Sequence, residues 1–574
     1  LLPHSPRPFI WRLEHPMIHA IWENDMLGET LHRLSEFLGS IWHRFVPSFE
    51  NYLMRSRLLN VLVVSLSTVG SRVLGLLRDI LVFSIFGSSA LNSAFLLAFT
   101  FPNLFRRLLG EGALTAAMLP LLTEEKEKFG ESRLFWLYNK ILSRLVTVLF
   151  ALVAIFSLIL IAVGQIPGLQ ERWNLTMILG VLLFPYMALV CVAAAFAAAL
   201  NAMHRYVVPA LTSVWLNFSI LLLLGGLGYF ATEVSLYRMY WLCTGVLVGG
   251  FFQVLIPWVA LRREGWEFEL DFKPTSKLKE FSRLLLPGIL GASVIQVNLL
   301  ISRTLAHVLD ESAVSIYYLA NRLVELPLGV FSIAIATVYF PLLSECATRG
   351  DQRNFSATFQ QALRLMFAIT IPATVGLIIL GEPILRLLFE WGAFRAGDTQ
   401  LTLPILWAFA FGLPVYSMVA LLLRGFYAHK DTKTPMKVAT FSFVLNAVLS
   451  LALMWPLGVF GLALANVLSF FGQAILLTAL LSNYLQRNLV SDIAFDLVKI
   501  LIGSAVMIGV IYLLRWWIVY LPFTEKGEAA IIVLVVIPAS VVIYFLVLWI
   551  AKFRDMEELR GLVVRPVSQG LSGE

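Results

Sequence analysis

From residue 58 onward the chain is a succession of long apolar runs separated by short polar stretches. About fourteen of the runs reach the roughly 20 residues that a helix needs to cross a hydrocarbon core. They fall at 58–86, 89–109, 141–165, 175–201, 208–230, 237–261, 284–309, 313–342, 360–381, 401–427, 437–456, 458–483, 498–521 and 529–551. The pattern predicts an all-α polytopic membrane protein. Ahead of these runs the periodicity changes: Ile18, Ile21, Trp22, Leu27, Leu31, Leu34, Leu38, Ile41, Trp42 and Phe45 recur every three to five positions. That spacing predicts an amphipathic helix within residues 1–57, lying on a membrane surface.

Two stretches repeat. Met118–Glu124, M-L-P-L-L-T-E, returns as Y-F-P-L-L-S-E at Tyr339–Glu345, and Asn201–Pro209, N-A-M-H-R-Y-V-V-P, is echoed by Y-A-H-K-D-T-K-T-P at Tyr427–Pro435. The offsets, 221 residues between Pro120 and Pro341 and 226 between His204 and Lys430, agree closely, and each echo falls six spans later. Two six-helix lobes follow, with two further helices at the C-terminal end. Six is even, so the lobes share one orientation and are related by an axis along the membrane normal, as in alternating-access transporters. The expected division is 1–57 for the extension, 58–283 for the first lobe, 284–497 for the second, and 498–574 for the last two spans and tail.

Composition supports the membrane reading. The chain is 59% hydrophobic and 14% charged, well under the roughly 25% charged of soluble domains. Its net charge of +7 forms no basic domain, which argues against nucleic acid as a partner. Instead Lys and Arg gather in alternate loops, at Arg106–Arg144, Arg262–Arg283 and Lys430–Lys437. The positive-inside rule then places both termini in the cytoplasm. Cys191, Cys243 and Cys346 are isolated in or beside apolar segments, with no disulfide or metal spacing. His15, His19 and Glu23 stand at i, i+4 and i+8, but Pro16 interrupts them and they read as surface residues. No hydrolase, nucleotide-binding or zinc-peptidase motif is present, so no enzyme is expected.

The informative charges lie inside the spans. Ser71–Asp79, S-R-V-L-G-L-L-R-D, puts Arg72, Arg78 and Asp79 into the first run. Arg72 is roughly 22 Å along a helix from Arg57, too deep to reach the surface by its own length. An arginine at such a depth costs roughly 2.5–3.5 kcal/mol, so it normally faces a water-filled cavity. Arg72 and Arg78 are about 120° apart on an ideal helix, which requires either a broad cavity or a bend at Gly75. Asp79 can neutralise Arg78 or an arginine across the cavity. The second span ends in P-N-L-F-R-R-L-L-G-E-G at Pro102–Gly112, where Arg107 and Glu111 are i, i+4 neighbours. The eighth carries A-N-R-L-V-E-L-P at Ala320–Pro327, with Arg322 and Glu325 at i, i+3. The guanidinium fork suits a phosphate or diphosphate, so these residues predict a cationic cavity between two lobes for a phosphorylated substrate. Arg303, Arg364, Arg386 and Arg515 read as anchors at span ends. Asn298, Ser302, Asn446 and Asn466 can supply oxygen to a sodium ion or simply join helices, the commoner case.

Taken together, S-R-V-L-G-L-L-R-D, F-P-N-L-F-R-R-L-L-G-E-G-A-L, A-N-R-L-V-E-L-P-L-G and G-F-Y-A-H-K-D-T-K-T-P resemble the MurJ (MviN) family of lipid II flippases, from about residue 57 to 550. The resemblance implies the multidrug/oligosaccharidyl-lipid/polysaccharide exporter fold and a bacterial inner membrane location. It further implies transport of the undecaprenyl-diphosphate-linked peptidoglycan precursor by alternating access. Arg72, Arg78, Asp79, Arg107 and Arg322 would line the cavity, the arginines would hold the diphosphate, and the lipid tail would follow the last two spans. Where the family often has an acid, this chain has Ser93 and Asn321, which removes negative charge from those positions. No cofactor is expected; a coupling ion or the membrane potential is left open as the driving force. The expected partners are lipid II, membrane lipids and the cell-wall synthesis machinery, with the protein a monomer. The alternatives are a flippase for another polyprenyl-diphosphate glycan, a multidrug exporter of the same fold, or a membrane glycosyltransferase, which would need a large outer loop with carboxylates.

Overall fold

A computed structural model of the chain describes residues 57–557 apart from 487, 488, 490–492 and 521. The amphipathic stretch at 18–45 and the histidines within it lie outside the described residues. The chain divides into two compact units, Leu1–Val69 and Gly70–Glu574. All that follows on the site concerns the second.

The described residues are helical because an apolar run in lipid can satisfy its backbone only within itself. In order they form α1 (Arg57–Phe86), α2 (Ala90–Phe105), α3 (Leu114–Phe129), α4 (Glu131–Gly164), α5 (Glu171–Ala202), α6 (Val207–Ile220), α7 (Ser235–Arg263), α8 (Ser276–Leu309), α9 (Ala313–Pro327), α10 (Ile333–Thr348), α11 (Gln352–Phe389), α12 (Ala396–Ala428), α13 (Lys433–Leu485), α14 (Ala494–Val519), α15 (Glu525–Ile531) and α16 (Ile537–Ile550). Among the described residues ten helical stretches are long and apolar enough to span a membrane by length and composition. One of these, α13, is two spans joined at Gly458, whose φ of 58° and ψ of −140° break the helix. The helices beginning at Arg57, Ala90 and Ser276 bring the total to the fourteen spans expected.

The sequence repeat is visible in the backbone. A π-helical segment, Arg106–Ala113, precedes α3, and another, Leu328–Ser332, precedes α10. These are the helices that carry the two Pro-Leu-Leu motifs, with Pro120 and Pro341 inside them. Likewise His204 and Lys430, 226 residues apart, both take positive φ, 63° and 60°, each in the turn between two spans. The left-handed conformation is uncommon outside glycine, so its recurrence at the matched offset is specific.

In the C-terminal part, α14 and α16 pack with α11 through one apolar core that includes Phe359, Leu363, Met366, Ile500, Ile511, Tyr544 and Leu548. Tyr544 donates its hydroxyl to the Ala368 carbonyl at 2.7 Å, which satisfies a buried polar tip. Arg364, read as an anchor in the sequence, is buried here and donates to Asp555 at 2.6 and 3.2 Å. Asp496 lies 3.6 Å away. This pair fastens the segment after α16 onto α11.

Candidate functional site

The charges of α1 and α9 meet in one place. Asp79, 3% exposed, accepts from Arg78 on its own helix at 2.7 and 3.1 Å through Oδ1. Through Oδ2 it accepts from Arg322 Nε at 3.0 Å. Tyr318, one turn before Arg322, donates its hydroxyl to Asp79 Oδ1 at 3.2 Å. Arg322 also reaches Glu325 at 3.4 Å, the i, i+3 pair expected from the sequence. Asn321 donates to the other Glu325 oxygen at 2.9 Å, a bond that an aspartate at that position would lack. Arg78 donates its third bond to Asn217 at 3.2 Å, and Asn217 in turn donates to the Ser71 carbonyl at 3.2 Å. A single carboxylate therefore holds two guanidinium groups from different helices in fixed orientation.

Around this cluster lies a cavity of about 230 Å³, lined by Arg72, Arg78, Asp79, Arg106, Arg107, Asn217, Arg303, Tyr318, Asn321, Arg322 and Glu325 among others. Every site residue expected from the sequence is in that lining. Both α1 arginines reach it, and α1 is one unbroken helix through Gly75. Gly75 gives clearance instead: a Cβ there would stand 3.3 Å from Arg322 Nη2. Gly329 does the same for Arg72, whose Nη1 would be 2.9 Å from a Cβ at that position. The pairing of Arg107 with Glu111 lies outside the described residues, because it rests on the Glu111 side chain. Arg106 donates to Asn103 at 3.2 Å.

Arg303 requires a correction. It is not a span-end anchor: it lines the cavity and is 8% exposed. Counting it, six arginines face two carboxylates among the described residues of the lining. Such an excess of cations around one cavity predicts an anionic ligand, since unbalanced charge held away from bulk water is costly. At about 230 Å³ the space is below the roughly 300–1,000 Å³ that encloses a whole small ligand. It admits a phosphate-sized group and little more in this conformation.

Two further sets of contacts join segments distant in the chain. Beyond Asp79, Phe83 packs edge-on against Phe389 and Phe394, with ring centroids 5.8 Å away in each case. There the Ala393 amide donates to the Ser84 carbonyl at 2.7 Å, and Ser88 is hydrogen-bonded to Asp398. Gly392 has φ of +60° and a Cβ on it would meet Ser84 O at 2.3 Å, so only glycine fits this contact. On α3, Glu124 accepts from Lys277 of α8 at 2.9 Å and from Lys128 at 2.7 Å. Hydrogen bonds from these two lysines hold the Glu124 carboxyl at about 2, well below its ordinary value.

The other polar positions singled out in the sequence join helices. Asn446 donates to Asn298 at 2.7 Å and accepts from Ser450 at 2.9 Å. Asn466 accepts from Tyr416 at 3.0 Å. Ser93 shares a 2.8 Å hydrogen bond with Ser315 in the dry contact between α2 and α9.

Comparison with known proteins agrees with this architecture. A family described as "Lipid II flippase MurJ" matches residues 82–525. A probable lipid II flippase MurJ of Rhizobium meliloti (strain 1021) is 32% identical over 517 residues, covering 88% of this chain and 95% of the relative. That of Thermotoga maritima is 30% identical over 507 residues, covering 88% and 98%. Among solved structures, one titled "Lipid II flippase MurJ, inward closed conformation" aligns with a TM-score of 0.69 at 26% identity, over 88% of this chain and all of the other. An inward-facing multidrug resistance MATE transporter aligns at 0.60 with 14% identity over 72% of this chain and 94% of its own, which concerns the fold alone.

Proposed function

The chain belongs to the MurJ family of lipid II flippases, and from that premise we propose how its own residues carry the substrate. The protein is a transporter of the lipid-linked peptidoglycan precursor and performs no chemical step. The observation that carries the reading is the Asp79 cluster, where one carboxylate holds Arg78 and Arg322 at 2.7 and 3.0 Å inside a cavity with excess positive charge. The diphosphate of the substrate competes with Asp79 for the two guanidinium groups, and Arg72 and Arg107 complete the cationic wall. Charge-assisted, fork-shaped contacts of this kind are the strongest that arginine makes.

Arg78 belongs to the first lobe, 58–283, and Arg322 to the second, 284–497, so a bound diphosphate draws the lobes together. Rocking of one lobe against the other then exposes the cavity to each side in turn. The Ser84–Ala393 contact joins the two lobes and is a closure that must open in this cycle. With Lys and Arg concentrated in the loops on the side of the termini, we place both termini in the cytoplasm and the protein in the bacterial inner membrane. The prenyl tail runs along the last two spans, where Leu501, Ile502, Val542 and Leu546 are exposed apolar residues. The protein works as a monomer in this reading. A cation exporter of related fold is disfavoured by the sign of the cavity charge.

The test is genetic rescue. Cells depleted of their own lipid II flippase should grow with the wild-type chain and fail with Arg72→Ala, Arg78→Ala or Arg322→Ala. Full rescue by all three variants would overturn the cationic site.

A further inference from the structure

Two of the cavity arginines are balanced by carboxylates. Arg78 has Asp79, and Arg322 has Asp79 and Glu325. Arg303 has none within 4.0 Å among the described residues, although it is 92% buried as 8% exposed implies. Its Nη1 donates to Thr100 Oγ1 at 2.7 Å, and the Thr100 hydroxyl in turn donates to the Leu96 carbonyl at 2.6 Å. Its guanidinium lies 5.1 Å from the centre of the Tyr318 ring, the same tyrosine that donates to Asp79. Its Nε is buried with no hydrogen-bond partner among the described residues. Gln296 and Leu299, seven and four positions earlier on α8, line the cavity with it, so this helix presents a face to the site.

We propose that Arg303 is a specificity-determining residue that reads the second phosphate of the lipid-linked diphosphate. Its charge, with no carboxylate in direct contact among the described residues, and its spare Nε–H match the additional charged oxygens that a diphosphate has over a monophosphate. Thr100 and the Tyr318 ring fix the guanidinium without neutralising it, and Tyr318 ties its position to the Asp79 cluster. This inference rests on the flippase reading and deepens it, because the carboxylate-held pair, Arg78 and Arg322, is sufficient for one phosphate.

The experiment is a binding titration of the full chain in detergent micelles with two probes, undecaprenyl diphosphate and undecaprenyl monophosphate. The wild type should prefer the diphosphate, and Arg303→Gln should lower diphosphate affinity roughly tenfold while leaving monophosphate affinity unchanged, as expected for loss of one charge-assisted hydrogen bond. A purely structural role would weaken both probes equally, and that result, or no change in either, overturns the inference. Arg303→Lys is the second variant, keeping the charge without the Nε donor. It should also reduce the preference, and an unaltered preference counts against the proposal. If the wild type binds neither probe, the flippase site itself fails along with it; if the wild type binds and only the selectivity claim fails, the flippase reading stands.

Discussion

Arg322 and Asp79 are 243 residues apart in the chain and 3.0 Å apart in space. The bond joins α9 to α1, and Asp79 simultaneously engages Arg78, so removing this carboxylate leaves two buried guanidinium groups facing each other. Breaking a buried ion pair from one side costs about 3–5 kcal/mol; with Arg322 about a quarter exposed, the lower end applies. Asp79→Ala should therefore lower the thermal midpoint of the purified protein by several degrees and abolish transport. The further change Arg322→Gln should restore part of the stability and none of the transport. A midpoint equal to wild type in Asp79→Ala would show that the pair contributes nothing.

Gly329 provides a test of Arg72 that leaves the arginine in place. A methyl group there would stand 2.9 Å from Arg72 Nη1, the far end of a flexible side chain, which moves at little cost. Gly329→Ala should keep or slightly raise stability, because alanine is the better helix former by about 1 kcal/mol. Transport should fall toward that of Arg72→Ala. Wild-type transport from Gly329→Ala would mean that the position of Arg72 against this helix is unimportant.

The contact between Glu124 and Lys277 has a defined pH window. Its carboxyl is held at about 2 in the folded protein by hydrogen bonds from Lys128 and Lys277, below the ordinary 4.5. A depressed carboxyl contributes stability that is complete above its unfolded value and is lost as pH falls toward the folded one. Amide exchange of residues 114–129, corrected for the intrinsic rate, should thus be constant from pH 8 to pH 5 and rise only between about 4.5 and 2. Glu124→Gln should show the raised exchange already at pH 7.

Arg364 and Asp555 form a contact whose two halves can be exchanged. Both are about 5–6% exposed and 2.6 Å apart. Arg364→Ala should cost about 3 kcal/mol or more and free the segment after α16 for limited proteolysis. Arg364→Asp with Asp555→Arg should recover part of the loss, measured by cleavage rate. Equal cleavage of wild type and Arg364→Ala would exclude this fastening role.

How far these features could be read from the sequence depends on their physical range. The bilayer fixes span length, so all fourteen helices are legible, whereas the π-helical segments before α3 and α10 have no signal in the repeat of Pro120 and Pro341. Arg72, Arg78 and Asp79 stand out because charge in an apolar run is expensive, and Arg322 with Glu325 because i, i+3 neighbours meet on a helix. The Asp79–Arg322 bond has no local signal at a separation of 243 residues. Asn217 and Tyr318, which complete the cluster, are uncharged and resemble ordinary helix-joining residues. Arg303 looks like an anchor because it is six residues from the end of α8 at Leu309, and only packing shows that this end borders the cavity. Gly75 can signify a bend or a close approach, and the clearance it gives Arg322 is a tertiary fact.

The most direct measurement of the central claim is translocation of lipid II in vesicles holding the purified chain, followed by the appearance of head group at the opposite leaflet. Wild-type protein should translocate it, and Arg78→Ala and Arg322→Ala should each reduce the rate at least tenfold while remaining folded by thermal midpoint. Translocation at the wild-type rate by both variants would contradict the account.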